Sequence, residues 1–231
     1  LVLLMISVAG GFTVAGTVLV AQNKGAGNQD RVDFVAGQTI AFVGVLAVAF
    51  AALGYLLTPW LVGLVGAAPG STEYALAVEY TRTVFLGVVF MFGFFIFQAL
   101  LRGWGDTKTP LALMILGVAL NVVLDPFLIL GFEAGPLSMV GLSGLETTAY
   151  EATGFTGYGV QGAAIATVFS RGVGAVIGMA WLFSGRVGIS LSLSDLRLDP
   201  GTLRDIVSIG APASIEQSMR ALGITALTAL V

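Results

Sequence analysis

The chain of 231 residues contains no cysteine and no histidine, and only 10% of its residues are charged. Without cysteine, disulfides, thiolate nucleophiles and thiol metal sites are excluded. Without histidine, zinc sites built from imidazole are excluded as well. Any acid–base chemistry in this sequence must therefore use carboxylates. The formal net charge of -3 argues weakly against nucleic acid as a partner.

Hydrophobic residues make up 57% of the chain and give it a mean hydropathy of +0.97. An average soluble domain has about 25% charged residues, well above the share in this sequence. A helix needs about 20 apolar residues to cross the hydrocarbon core of a bilayer, and six stretches satisfy this length. They lie at residues 1–21, 34–66, 76–101, 110–131, 158–184 and 203–231. The sequence therefore predicts an all-α polytopic membrane protein, built as a helical bundle, and we expect it to lie in the plasma membrane.

Basic residues alternate between the connections that join these stretches. The first, third and fifth connections contain lysine or arginine, whereas the second and fourth contain neither. Because cytoplasmic loops carry an excess of basic residues, we assign the odd connections to the cytoplasm and expect the chain to begin outside. The fourth connection, residues 132–157, is long, acidic and rich in glycine, serine and threonine. That composition indicates a flexible extracellular segment.

One carboxylate lies deep inside an apolar stretch, where Asp125 interrupts residues 111–130 together with Asn121 and Pro126. A charged side chain at the membrane centre costs about 2.5 to 3.5 kcal/mol on insertion scales, so it is retained mainly where it faces a cavity, a partner or an ion. Asn121 and Asp125 are four residues apart and share one helix face. Pro126 has no amide proton and leaves the carbonyl of Val122 without its helical donor.

These oxygens suit a hard cation, or a proton held on the carboxyl group. The structural alternative is an ion pair between Asp125 and an arginine of another helix, for which Arg171 and Arg220 are available.

Other polar residues at helix depth are less specific. Gln98 is a candidate for lining a cavity, although an interhelical hydrogen bond is equally compatible with its position. Arg82 follows Glu79 by three residues near the outer end of its helix, which predicts a snorkelling pair. Four phenylalanines are candidates for lining an aromatic substrate cavity, namely Phe92, Phe94, Phe95 and Phe97. For most of them we prefer packing in the core or against lipid.

Sequence signatures of enzymes and of nucleotide-driven pumps are missing. There is no Walker loop and no dinucleotide fingerprint, and no paired acidic motif, zinc signature or serine–histidine combination. We therefore expect a protein that is not an enzyme and needs no cofactor. A transporter of this kind must draw its energy from an ion gradient or from a separate subunit, whereas a channel or structural subunit would not perform uphill transport.

Several segments in fixed order carry a family resemblance. The most specific are QALLRGWGDTKTP at residues 98–110 and NVVLDPFLILG at residues 121–131. Supporting segments are VAQNKGAGN at 20–28, GVQGAAIATVFSR at 159–171 and IGAPASIE at 209–216. Together they resemble the multidrug and toxic compound extrusion (MATE) family, in particular its archaeal and DinF-like branch.

The resemblance implies a twelve-helix antiporter of two six-helix lobes, in which this chain resembles helices two to seven. Residues 1–184 are then the N-terminal lobe without its first helix, residues 185–202 a cytoplasmic linker, and residues 203–231 the first helix of the C-terminal lobe. Because both ends of the chain lie within apolar helical patterns, we interpret it as part of a longer transporter.

The resemblance also implies a cation or proton site formed by Asn121, Asp125 and a threonine of the next helix, here Thr167. If sodium is the coupling ion, these three residues are its ligands. We expect the protein to exchange sodium or protons for small amphipathic, often cationic compounds, as a monomer in membrane lipid. A flippase for lipid-linked oligosaccharides, which would have a related fold, is the alternative.

Overall fold

The computed structural model describes residues 2–64, 68–132 and 143–229. Within these ranges the chain forms seven α-helices and one short 3-10 helix at Leu193–Leu196, and no strand. The helices are α1 (Val2–Gly25), α2 (Gln29–Leu64), α3 (Thr72–Trp104), α4 (Lys108–Leu130), α5 (Ser143–Thr153), α6 (Val160–Phe183) and α7 (Pro200–Ala229). The six long helices coincide with the six apolar stretches, so the predicted all-α architecture is confirmed.

Four of the described helices, α2, α3, α4 and α6, are long and apolar enough to cross a membrane. The two other predicted spans form as α1, with 24 residues, and α7, with 30 residues.

Helix α3 lies at the centre of the bundle, where it packs against α1, α2, α4 and α6. Glycines of α6 make room for its aromatic rings, because Gly174 lies against Phe94 and Gly178 against Phe97. Phe92, Phe94 and Phe97 are at most 1% exposed. Three of the four phenylalanines considered as cavity residues therefore belong to the packed core.

Helix α7 packs antiparallel against α1 along a seam of small residues. Gly11 lies against the backbone of Ser214, and Gly210 lies against Phe12. The hydroxyl of Ser214 donates to the carbonyl of Val8 over 2.8 Å. Such close approach of two backbones is typical of membrane helices that meet at glycine.

The connection between α6 and α7 is fixed to α2 by one side chain. Gln38 of α2 is fully buried. Its Nε2 donates to the carbonyls of Asp195 and Arg197 over 2.7 and 2.6 Å, and its Oε1 accepts from the backbone N–H of Asp199 over 2.7 Å. The amide thus satisfies three backbone groups of a segment that has little regular structure of its own.

The expectation of a flexible segment at residues 132–157 is wrong for part of it. Residues Ser143–Thr153 form the 11-residue helix α5, while residues 133–142 lie outside the described ranges. The base of the connection is closed, because the N–H of Phe132 donates to the carbonyl of Phe155 over 3.0 Å. The N–H of Tyr158 likewise donates to the carbonyl of Leu128 over 2.7 Å.

Candidate cation site

The helix that carries the candidate site is capped by an ionised side chain. Oδ1 of Asp106 accepts from the backbone N–H groups of Lys108 and Thr109, each over 3.0 Å. Burial raises the pKa of Asp106, but the hydrogen bonds from Thr109 and Lys108 together outweigh it and lower the pKa below its usual range. A charged carboxylate at this position stabilises the start of α4 through its exposed N–H groups and the helix dipole.

Asn121 and Asp125 are in direct contact on α4. Nδ2 of Asn121 lies 3.3 Å from Oδ1 of Asp125, and both side chains are half-buried. The helix continues through Pro126 to Leu130. The i,i+4 spacing noted in the sequence thus brings the amide and the carboxylate together in the membrane-spanning part of the helix.

Helix α6 runs beside this pair. Gly117 of α4 lies opposite the carbonyl of Ser170, since a Cβ added to Gly117 would be 3.6 Å from that oxygen. Gly162 of α6 lies against the carbonyl of Leu128. The two contact points fix an antiparallel register. Thr167 falls between them on α6, as Asn121 and Asp125 do on α4. Thr167 is half-buried at the same level, and the structure records no hydrogen bond from it to either residue.

The arginines that could neutralise Asp125 have other neighbours. The guanidinium of Arg171 lies 5.4 Å from the ring centre of Phe94. Arg220 forms an exposed ion pair with Glu216 at 3.2 Å. Among the described residues, no basic group lies within 4.0 Å of the carboxylate of Asp125. The structure therefore lends no support to a structural ion pair at this position.

A serine that sequence analysis missed lies on the same helix as Thr167, opposite Gly117 of α4. Ser170 is 2% exposed, and its hydroxyl has no hydrogen-bond partner within the described ranges. It follows Thr167 by three residues, so the two side chains share a helix face. A buried hydroxyl without a partner costs about 1 to 3 kcal/mol. The i,i+3 spacing of two hydroxyl residues in an apolar helix was the signal that could have identified it.

Gln98 is also buried, and its Oε1 accepts from Nη1 of Arg102 over 3.3 Å. Its contact therefore lies within α3, at the cytoplasmic end predicted from the loops.

The candidate site offers the carboxylate of Asp125 and the amide of Asn121, which are in contact, and the hydroxyl of Thr167 at the same level of the neighbouring helix. In the described part of the chain there is no cluster of three or more acidic, histidine or cysteine side chains that could hold a metal ion. A single negative charge is neutralised by one monovalent cation or by one proton, and oxygen donors suit a hard cation.

Comparisons with known proteins agree with this architecture. The MatE family model matches residues 1–127. The probable multidrug resistance protein YoeA of Bacillus subtilis (strain 168) is 29% identical over 231 residues, which cover 99% of this chain and 45% of that protein. This chain thus spans less than half of that relative's length.

Two solved structures match almost the whole chain. An inward-facing conformation of a multidrug resistance MATE family transporter of the MOP superfamily has a TM-score of 0.77 at 26% identity, over 96% of this chain and 44% of that one. An outward-facing conformation of such a transporter also has a TM-score of 0.77 at 26% identity, over 97% of this chain and 44% of the other chain. These neighbours are multi-pass transporters and not enzymes. The family match, the relative and the shared helical architecture show that this chain belongs to the MatE family of membrane transporters.

Proposed function

We propose that the protein containing this chain is a secondary active antiporter, which exports amphipathic, often cationic compounds in exchange for sodium or protons. The observation that carries this proposal is the contact between Asn121 and Asp125, a carboxylate with no basic partner in an apolar helix. Relatives described as multidrug resistance proteins support the substrate class. The site on α4 supports the coupling.

The carboxylate of Asp125 acts as the switch in this mechanism. While it is ionised, the helices around it must keep it hydrated or bound to a cation. One cation or proton neutralises it, and α4 and α6 can then repack without water between them. A cation that crosses the full membrane potential releases about 2.3 kcal/mol per 100 mV, enough to drive tens-fold accumulation of an uncharged compound. When a monovalent cationic compound is exchanged one for one, no net charge moves, and the concentration gradient of the coupling ion supplies the energy.

We assign residues 1–184 to the N-terminal lobe, residues 185–202 to the linker and residues 203–231 to the first helix of the second lobe. The equal match to inward-facing and outward-facing transporters supports a lobe that keeps its shape while access alternates. The seam between α1 and α7 then joins the lobes, and the contact between Gln38 and Asp195 fixes the linker to the first of them.

Flux measurements with the full-length protein in proteoliposomes test this function. A sodium gradient and a pH gradient are imposed separately, and export of a cationic dye is recorded against its own gradient. Uphill export with one of the two gradients is the expected result. Export that only dissipates the dye gradient would contradict the proposal. Translocation of a lipid-linked oligosaccharide without dye export would replace it with the flippase.

A further inference from the structure

A second polar cluster lies far from Asp125, where the predicted outer ends of α2, α3 and α6 meet. It surrounds a pocket of about 640 Å³. Arg82 is its basic residue, and Glu79 is its acidic residue. The residues that line it with them include Tyr55, Tyr74, Thr83 and Gln161.

Arg82 lacks the partner that the sequence predicts for it. The structure records no ion pair between Arg82 and Glu79, whose side chain is exposed. The guanidinium instead lies over the ring of Tyr55, 5.0 Å from its centre. Its Nε is buried and has no hydrogen-bond partner among the described residues. A guanidinium that stacks on a ring keeps its N–H donors in one plane, and this planar arrangement can bind phosphate oxygens.

The polar walls of the pocket are fixed by their own hydrogen bonds. The hydroxyl of Tyr74 donates to the carbonyl of Pro59 over 3.0 Å. Nε2 of Gln161 lies 3.4 Å from the hydroxyl of Thr83, which donates to the carbonyl of Glu79 over 3.0 Å. These contacts join α2, α3 and α6 around Arg82 and leave its guanidinium and the carboxylate of Glu79 as the unpaired charges.

An apolar groove of about 610 Å³ continues from this pocket between α3 and α6. Thr83 and Leu86 line both. Gly87 and Gly172 are part of its lining and leave space because they have no side chains. Large apolar residues are exposed along the groove, namely Leu86, Phe90, Phe169 and Val176. The α6 lining runs from Ile165 to Ile177, about 18 Å long at a rise of about 1.5 Å per residue. This length is close to half of a hydrocarbon core of roughly 30 Å.

The depth of the pocket fits the boundary between headgroups and hydrocarbon. Helix α3 has 33 residues, about 50 Å, and Arg82 lies ten residues from its start, about 15 Å along the axis. A core of about 30 Å centred on α3 places Arg82 near its outer edge. Two tyrosines in the same pocket are typical of that interface.

We propose that this pocket and groove bind one phospholipid whose headgroup carries both a phosphate and a primary ammonium. The phosphate accepts hydrogen bonds from the guanidinium of Arg82. The ammonium donates to the carboxylate of Glu79, and one acyl chain lies in the groove between α3 and α6. The opposite charges of Arg82 and Glu79 match such a zwitterionic headgroup, whereas an anionic headgroup would meet the carboxylate of Glu79 as a like charge. The site does not involve the coupling residues on α4.

Native mass spectrometry of the full-length protein, released from nanodiscs with equal amounts of phosphatidylethanolamine and phosphatidylcholine, tests this site. We expect retention of phosphatidylethanolamine to exceed that of phosphatidylcholine by about threefold, because the trimethylammonium group of phosphatidylcholine carries the same charge but cannot donate the exposed hydrogen bond to Glu79. Arg82→Gln should lower retention of both lipids about tenfold, because a charge-assisted hydrogen bond is lost. Glu79→Gln should keep both lipids bound but remove the difference between them.

Further variants separate lipid binding from folding. Arg82→Lys keeps the charge and should retain more lipid than Arg82→Gln, and Leu86→Trp should expel the acyl chain from the groove. Arg186→Gln, in the exposed linker, should behave like the parent protein.

Three outcomes would overturn the proposal. The first is equal retention of the two lipids by the parent protein. The second is stronger retention of anionic phosphatidylglycerol. The third is displacement of the lipid by soluble glycerophosphoethanolamine or by the cationic dye at equal concentration, which would make the site one for free headgroups or for substrate.

Discussion

Nδ2 of Asn121 lies 3.3 Å from Oδ1 of Asp125, one helical turn further along α4. This hydrogen bond orients the carboxylate and leaves its second oxygen without a protein donor in the part of the chain that the structure describes. The hydroxyl of Thr167 lies at the same level of α6, and Ser170 lies one turn further along α6, opposite Gly117. We propose that the carboxylate and amide oxygens, together with Thr167, bind the coupling cation, because hard cations prefer oxygen ligands.

Ser170→Ala tests whether Ser170 is a ligand of the coupling ion or only packs in the core. The buried hydroxyl has no partner in the described residues, so its removal should leave the free energy of unfolding unchanged or raise it by up to about 1 kcal/mol. If the hydroxyl contributes to the cation site, the ion concentration for half-maximal transport should rise several-fold. Thermal unfolding and ion titration of transport measure the two effects. Ser208→Ala, at an exposed serine of α7, is the control, and an unchanged ion titration in S170A would remove Ser170 from the site.

Gln38→Leu should destabilise the protein through its linker. The substitution leaves the carbonyls of Asp195 and Arg197 and the N–H of Asp199 without their partner. We expect a loss of about 3 kcal/mol, since an unsatisfied buried backbone group costs about 1 to 3 kcal/mol and part of this segment can rehydrate. Thermal unfolding in detergent measures the loss, and hydrogen exchange should accelerate in the linker. Gln22→Leu, at an exposed position, should change neither; equal stability of both variants would contradict the role of Gln38.

Gly11→Ala and Gly44→Ala form a matched pair within membrane helices. A Cβ at Gly11 would collide with the backbone of Ser214, whereas a Cβ at Gly44 would meet nothing within 4 Å. Gly11→Ala should therefore force α1 and α7 apart and cost about 1 to 3 kcal/mol by overpacking. Gly44→Ala should be neutral or stabilise α2 by up to about 1 kcal/mol. The midpoints of thermal unfolding give the comparison, and an equal effect of both substitutions would argue against a close α1–α7 seam.

The start of α7 should lose stability in acid. Oδ2 of Asp199 accepts from the backbone N–H and the hydroxyl of Thr202 over 2.8 and 2.9 Å. These two hydrogen bonds lower the pKa of Asp199 below its ordinary value of 3.8. A carboxyl group whose pKa is lowered by folding stabilises the fold above its unfolded pKa, and this contribution is lost as the pH falls through the folded pKa.

Protection against hydrogen exchange in residues 200–205, measured relative to the intrinsic exchange rate at each pH, should fall in the parent protein as the pH falls below 3.8. Asp199→Asn keeps an acceptor oxygen but cannot titrate, so this acid-dependent loss of protection should be absent from it. The same loss of protection in both proteins would show that another group controls the start of α7.

Much of the fold could be predicted from the sequence, because the patterns that indicate it are local. The length and hydropathy of each stretch predict the six long helices, and the i,i+4 spacing predicts the contact between Asn121 and Asp125. Helix α5 was missed because its glycine, serine and threonine residues are typical of loops.

Contacts between distant parts of the chain could not be predicted from one sequence. Gln38 and Asp195 are 157 residues apart, and nothing in the pattern around either residue indicates the other. Arg82 and Glu79 have the spacing of a helical pair, but the ring of Tyr55 from α2 holds the guanidinium instead. Thr167 was assigned by resemblance, and the register of α4 and α6 places it at the level of Asn121 and Asp125.

We propose that the carboxylate of Asp125 binds the coupling ion. Transport by Asp125→Asn tests this most directly, with the full-length protein reconstituted in proteoliposomes beside Thr167→Ala and the exposed control Asp205→Asn. D125N should fold and insert normally but lose gradient-driven export, since it cannot carry the charge. T167A should lose less, because one hydroxyl contributes one ligand or hydrogen bond, and D205N should match the parent protein. Unchanged gradient-driven export in D125N would contradict the account.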